Sequence, residues 1–171
     1  MIYKCRHFGI KEIVSKNAYN FFIVKKKYSE DFLWSMFEEE ILKDLDDIRD
    51  AWAKYLKEKY PTLTLSASII INNWYISGDL SQCGLRCNVD PLVKSKSAVN
   101  QPYLSAHCLA KGFDLHPANA RYLEFWKFVC NFISAGKTRK LKRVENFKHT
   151  PTWCHTDTFR TADNKLYIFD I

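Results

Sequence analysis

The sequence predicts an α+β fold: a single domain, residues 1–171, with an antiparallel sheet and helices on one side. Three observations point there. An amphipathic stretch with helical spacing lies early in the chain, a second apolar helical stretch follows its middle, and three short β-rich runs joined by turn signals come last. The 171 residues suit one hydrophobic core, and a composition 47% hydrophobic and 15% aromatic is far from that of a disordered chain.

Residues 1–29 mix short apolar runs with basic ones (FFIVKKKYSE) and read as an extended lead-in, with Ser29 placed to cap a helix. From Glu30 to Tyr60, Phe37, Ile41, Leu45, Ile48, Trp52 and Leu56 recur at three- and four-residue steps, an amphipathic helix that stops before Pro61. Lys54, Lys57 and Lys59 gather at its end, where the helix dipole favours cations. The next, β-rich run predicts a buried strand over Ser68–Trp74, and the segment from Gly78 to Ser105 reads as a long loop carrying Arg86. Pro117 then opens a second helix, with Leu123, Trp126, Phe128, Cys130 and Ile133 as its apolar bulk and Gly136 closing it. LKRVENF, TWCHTDTF and KLYIFDI are the three strand candidates, joined by KHTP and RTADN. No internal repeat or low-complexity tract interrupts this order.

A net charge of +7 favours anionic partners such as nucleic acid, phospholipid or a cell wall, without choosing among them. Nucleic acid has the weakest case, because Lys and Arg are not grouped with stacking aromatics in any known module. The six cysteines are scattered among apolar or mixed neighbours and read as reduced buried thiols, which favours folding in a reducing cytoplasm. Cys83 and Cys87 form a C-x3-C pair with no second pair to complete a zinc ribbon. The N-terminus MIYKCRHFGIKEIV has no apolar core of a signal peptide, and no run approaches the roughly 20 apolar residues of a membrane span.

The chemistry-bearing stretch is SAHCLAKGFDL, in which His107 and Asp114 stand seven positions apart. By themselves they are either metal ligands or ordinary polar residues in a turn. A catalytic zinc takes three protein ligands and leaves one position open, so a third ligand must come from elsewhere. His155, in PTWCHTDT, offers it; side chains alternate along a strand, so Trp153, His155 and Asp157 fall on one face.

The pattern S-x-H-x6-D followed by W-x-H-x-D resembles the zinc D-Ala-D-Ala carboxypeptidase and L-Ala-D-Glu endopeptidase family of peptidoglycan peptidases, which includes phage endolysins; the likeness runs over roughly residues 70–160. It implies a fold of the DD-peptidase (hedgehog) type and a Zn2+ held by His107, Asp114 and His155. It also implies a peptidoglycan stem peptide as substrate, oriented by Arg86 and Ser105 with Trp153 walling the cleft. Two features depart from the family pattern. The motif's Gly falls on Ala110 and its Ala on Gly112, and the position three before the second histidine, where several members carry an acid, is Thr152. Thr152 cannot take a proton from water at neutral pH, so the general acid/base falls to Glu145, diagonal to His155 if the last strands pair, or to Asp157, which serves equally as a partner of a ligand histidine. The expected activity is hydrolysis of stem peptides in a phage setting; the alternative is a catalytically silent zinc-binding virion or wall-binding domain.

Overall fold

Residues 1–98, 103–159, 163 and 165–170 are described by a computed structural model. Residues 99–102 of the expected loop, residues 160–162 and 164 of the expected RTADN connection and the last residue of KLYIFDI lie outside them.

Local capping, rather than extended pairing, organises the N-terminal segment. The Gly9 N–H donates to Glu12 at 2.7 Å, opening α1 (Ile10–Ile13), and Ser15 Oγ accepts from the Ala18 N–H at 3.1 Å, opening α2 (Lys16–Tyr19). A wide π-helical turn, Asn20–Lys25, continues it. The expected extended lead-in is thus helical, because Phe8, Ile10, Ile13 and Val14 have a core to enter.

The helix expected over 30–60 is two helices, α3 (Glu30–Trp34) and α4 (Glu39–Lys59). Between them the chain turns so that Phe37 stacks on Phe113, with ring centroids 5.9 Å apart. Along α4 the apolar stripe is buried as its spacing requires. Trp52, fully buried, meets Phe125 and Phe128 of a later helix, Tyr122–Ser134, at 5.1 and 5.2 Å. Two buried aspartates on α4 fasten neighbouring chain: Asp44 accepts from the N–H groups of Arg139, Lys140 and Leu141, and Asp46 from those of Arg6 and His7 and from the Tyr3 hydroxyl.

Of the strand expected over 68–74, only Ile69–Ile70 pairs, as β1. Asn72 ends it: its buried amide donates to the Glu12 and Val14 carbonyls, and a 3-10 turn, Trp74–Ile76, comes next. The long loop contains α5 (Pro91–Ser97), whose preceding Asp90 accepts from Ser15, Asn17 and the Cys87 N–H. Pro117 closes β2 (Gly112–Pro117) opposite Ile69 instead of opening a helix; Ala120 takes a left-handed φ of 57° in the turn before α6 (Tyr122–Ser134) begins.

β3 (Arg143–Glu145), β4 (Cys154–Asp157) and β5 (Tyr167–Phe169) fall within the three expected runs. The sheet order is β1-β2-β4-β3-β5, and it is mixed rather than antiparallel because β5 runs parallel to β3. The reason is topological: β2 already occupies the free edge of β4, so the returning chain passes β3 and pairs on its far side. One sheet face carries Phe113, Leu115, Val144 and Cys154, all buried; α6 packs against β2 and β4, and α4 packs against α6. By strand alternation the opposite face carries Asp114, Arg143, Glu145, His155 and Asp157. The whole is an α+β domain, and among the described residues no helix is long and apolar enough to cross a membrane.

Candidate metal centre

Asp114 and His155 are cross-strand partners in the β2–β4 register. The Asp114 N–H turns away from β4 to the Cys83 carbonyl, at 2.8 Å, so the two residues form a non-hydrogen-bonded pair, the kind whose side chains approach most closely. His107 comes from a 3-10 turn, Ala106–Leu109, capped by Ser105: Ser105 Oγ accepts from the His107 N–H at 3.2 Å. The turn ends at Ala110 in a left-handed conformation, φ 55°, which sends the chain back into β2. The stretch SAHCLAKGFDL is therefore a capped turn plus a strand.

Three ligand atoms converge. His155 Nδ1 lies 2.8 Å from Asp114 Oδ1 and 3.2 Å from His107 Nε2, and His107 Nε2 lies 3.4 Å from Asp114 Oδ1. A metal bonded tetrahedrally at about 2.0–2.2 Å to each of three ligands separates them by about 3.3–3.6 Å, so this triangle is close to a coordination face and is drawn tighter on its Asp114–His155 side. All three residues are buried, and together they form a group able to hold a metal ion.

The outer atoms of these ligands are also engaged. His107 Nδ1 donates to the Gly84 carbonyl at 3.0 Å, which leaves Nε2 with its lone pair directed inward. His155 Nε2 donates to Asp157 Oδ2 at 3.2 Å, and Asp157 in turn accepts a bidentate pair from Arg143, both contacts 2.9 Å. Arg143 itself lies over the Phe169 ring, 4.2 Å from its centroid. Asp114 Oδ2 accepts from Arg86 at 3.0 Å, and Arg86 Nε also donates to the Gln82 carbonyl. Such partners fix ligand orientation and tautomer.

Burial lowers the pKa of His107, which favours the neutral imidazole a metal needs. Burial acts the same way on His155, but hydrogen bonds to Asp114 and Asp157 outweigh it and raise its pKa to about 9. To ligate, His155 must release the proton that it shares with Asp114. For Asp114, burial is outweighed by the His107 and His155 contacts and the carboxyl is held well below its usual range. Asp157 is likewise lowered, its burial outweighed by His155 and Arg143.

Each residue singled out from sequence now has a position. His107, Asp114 and His155 meet; Asp157 stands behind His155 with its oxygens taken by Arg143, His155 and the Phe159 N–H. Arg86 is buried against Asp114, and Ser105 caps the His107 turn. Trp153, half-buried, lies 6.1 Å from the His116 ring. Glu145 comes level with His155, directly across β3–β4 rather than diagonally, since the register pairs Arg143 with Asp157 and Val144 with Thr156. Glu145 is 6% exposed, and among the described residues nothing hydrogen-bonds its Oε1. Burial raises its pKa above the usual carboxylate range, with His155 opposing.

Sequence reasoning missed Arg143, the Gly84 carbonyl and the need for Gly112. A Cβ at Gly112 would stand 2.8 Å from Ala106 Cβ and 3.3 Å from His155 Cε1, so only glycine lets β2 pass this close to the ligand turn. No family model, curated protein or solved structure matches this chain.

Proposed function

We propose that this protein is a zinc-dependent peptidase that hydrolyses peptide bonds in peptidoglycan stem peptides, in the manner of the zinc D-Ala-D-Ala carboxypeptidases and L-Ala-D-Glu endopeptidases, and that it works in a phage setting. The observation that carries the reading is the convergence of His107 Nε2, Asp114 Oδ1 and His155 Nδ1 beside a buried carboxylate, Glu145, whose Oε1 has no partner among the described residues. Two nitrogens and one carboxylate oxygen suit zinc, and three protein ligands is the number a catalytic zinc takes. The left-handed Ala110 adds support, since it stands where the family motif carries glycine.

Zinc bound there supplies a Lewis acid that activates water and polarises a carbonyl. His107, Asp114 and His155 would hold it; Arg86, with its guanidinium on Asp114, and Asp157, on His155, keep those side chains in place. Glu145 is the general base: its raised pKa suits a carboxylate that takes a proton from the attacking water and returns it to the leaving amine. Asp157 is the weaker candidate for that role because His155 and Arg143 already occupy its oxygens. Arg86 acts in this reading as a positioning residue rather than a direct grip on substrate.

The test is metal content by plasma mass spectrometry together with peptidoglycan digestion, on wild type, His155→Ala and Glu145→Gln. The expected outcome is one zinc per chain in wild type and in Glu145→Gln, none in His155→Ala, and wall cleavage in wild type only. Iron in place of zinc would overturn the metal assignment, since the same donor set also serves ferrous oxygenases. Stoichiometric zinc in a wild type that cleaves no wall would favour the silent zinc-binding domain. Full lysis by Glu145→Gln would remove Glu145 as the base.

A further inference from the structure

Away from the candidate metal centre, the N-terminal segment carries a cluster of exposed apolar side chains. Phe21, Val24, Tyr28 and Phe32 are 36%, 54%, 47% and 36% exposed, four large apolar side chains within twelve residues. The three aromatic ones are held together through Phe22: Phe22 lies 5.1 Å from Phe21, 6.2 Å from Tyr28 and 5.3 Å from Phe32, and Tyr28 lies 4.6 Å from Phe32. Isolated exposed apolar side chains need no explanation, but a packed group of them at the surface does.

Three consecutive lysines, Lys25, Lys26 and Lys27, sit inside this cluster, all exposed. Among the described residues none of them is in an ion pair; Lys25 and Lys26 instead lie over the Phe21 ring, at 6.0 and 5.7 Å. The nearby carboxylates are already engaged: Glu30 accepts from the Tyr19 hydroxyl and Asp31 pairs with Lys4. The backbone is unusual at the same place, with a π-helical turn over Asn20–Lys25 and a left-handed φ of 62° at Lys27. Both features cost stability and cluster at functional segments.

From this juxtaposition of unpaired lysines and exposed aromatics we infer that the 20–32 knob docks the protein on the surface of an anionic lipid bilayer. The apolar side chains enter the boundary between headgroups and acyl chains, and the lysines meet the lipid phosphates with their stems lying along the aromatic rings. Charge complementarity selects this occupant: Lys25, Lys26 and Lys27 are consecutive and outside any ion pair among the described residues, Asp31 being answered by Lys4, so only Glu30 offsets them and the knob stays net positive; aromatic side chains also favour the membrane–water boundary. The inference does not depend on the hydrolase reading and involves none of the metal ligands.

Sedimentation of the full chain with vesicles tests it, comparing phosphatidylcholine alone with phosphatidylcholine mixed with phosphatidylglycerol. Binding is expected on the mixed vesicles only. Each lysine at an anionic surface adds about fivefold to partitioning, so the triple variant Lys25→Gln/Lys26→Gln/Lys27→Gln should bind roughly a hundredfold more weakly. Val24→Ser, which keeps every charge, should weaken binding severalfold. A control, Lys54→Gln/Lys94→Gln/Lys96→Gln, removes three exposed charges elsewhere and should bind as wild type does. Circular dichroism and melting of each variant establish that it is folded. No binding to mixed vesicles, or an equal loss in the control, would overturn the inference. So would a concentration-dependent dimer abolished by Val24→Ser, which would assign the patch to a second copy of the chain.

Discussion

Asp157 determines which nitrogen of His155 faces the ligand triangle. Because Asp157 accepts from Nε2 and is itself clamped by Arg143, the imidazole can turn only Nδ1 toward Asp114 and His107. Asp157→Asn keeps the shape but gives up the negative charge that orients the ring. If the proposed zinc site holds, zinc affinity measured by competition with a chelator should fall about 10- to 100-fold while the fold persists by circular dichroism. An unchanged affinity would mean that His155 needs no such support. At this scale the ligands themselves were legible in the sequence, because His107, Asp114 and His155 carry their chemistry in their side chains. Their partners were not: Arg143 has ordinary surface composition around it, and the Gly84 group that holds His107 is a backbone carbonyl, which no residue type announces. Gly112 was visible only as a small residue out of place in a motif, and its reason is the passing Ala106 and His155.

At the scale of elements, the long helix α4 does two jobs that its apolar stripe does not reveal. Its buried face supplies Ile41, Leu45, Ile48, Trp52 and Leu56 to the core, as helical spacing predicted. Its aspartates reach past that stripe. Asp46 ties down the chain entering from residues 3–7, and its loss leaves two backbone N–H groups and a hydroxyl without their acceptor. Asp46→Ala should lower unfolding stability by about 3 kcal/mol in denaturant titrations and make the N-terminal residues sensitive to protease. Elements were most legible where burial follows periodicity and least where tertiary pairing sets the boundary. The 30–60 helix breaks because Phe37 has a ring to stack on, and the 68–74 strand stops at Asn72 because that amide bridges two carbonyls of the N-terminal segment. The partner of β5, and with it the parallel pairing, could not be read locally, since it depends on β2 already lying beside β4.

For the molecule as a whole, α4 and α6 are joined at their ends by a polar lock. Glu124 accepts from Lys59, Tyr55, Tyr60 and Arg121. Burial opposes its charge, but these hydrogen bonds prevail and lower its pKa to about 2. A folded-state pKa below the unfolded one stabilises the fold above the ordinary carboxylate range and loses that contribution as pH falls through about 2. Glu124→Gln should therefore melt below wild type at neutral pH, and the gap should close between pH ~5 and ~2. A gap that stays constant with pH would mean that packing, not charge, makes the lock.

The cross-strand match of Asp114 with His155 also bears on how the chain reaches its structure. A slip of β4 by one residue would turn His155 into the apolar layer among Phe113 and Leu115 and present Cys154 or Thr156 beside Asp114. His107, held to the neighbouring turn, would then face a thiol or a hydroxyl in place of an imidazole. An ion that requires all three ligands discriminates between those alignments, so its uptake favours one strand pairing and passes over misaligned chains. In a refolding experiment, metal incorporation would act as a proofreading signal for the sheet.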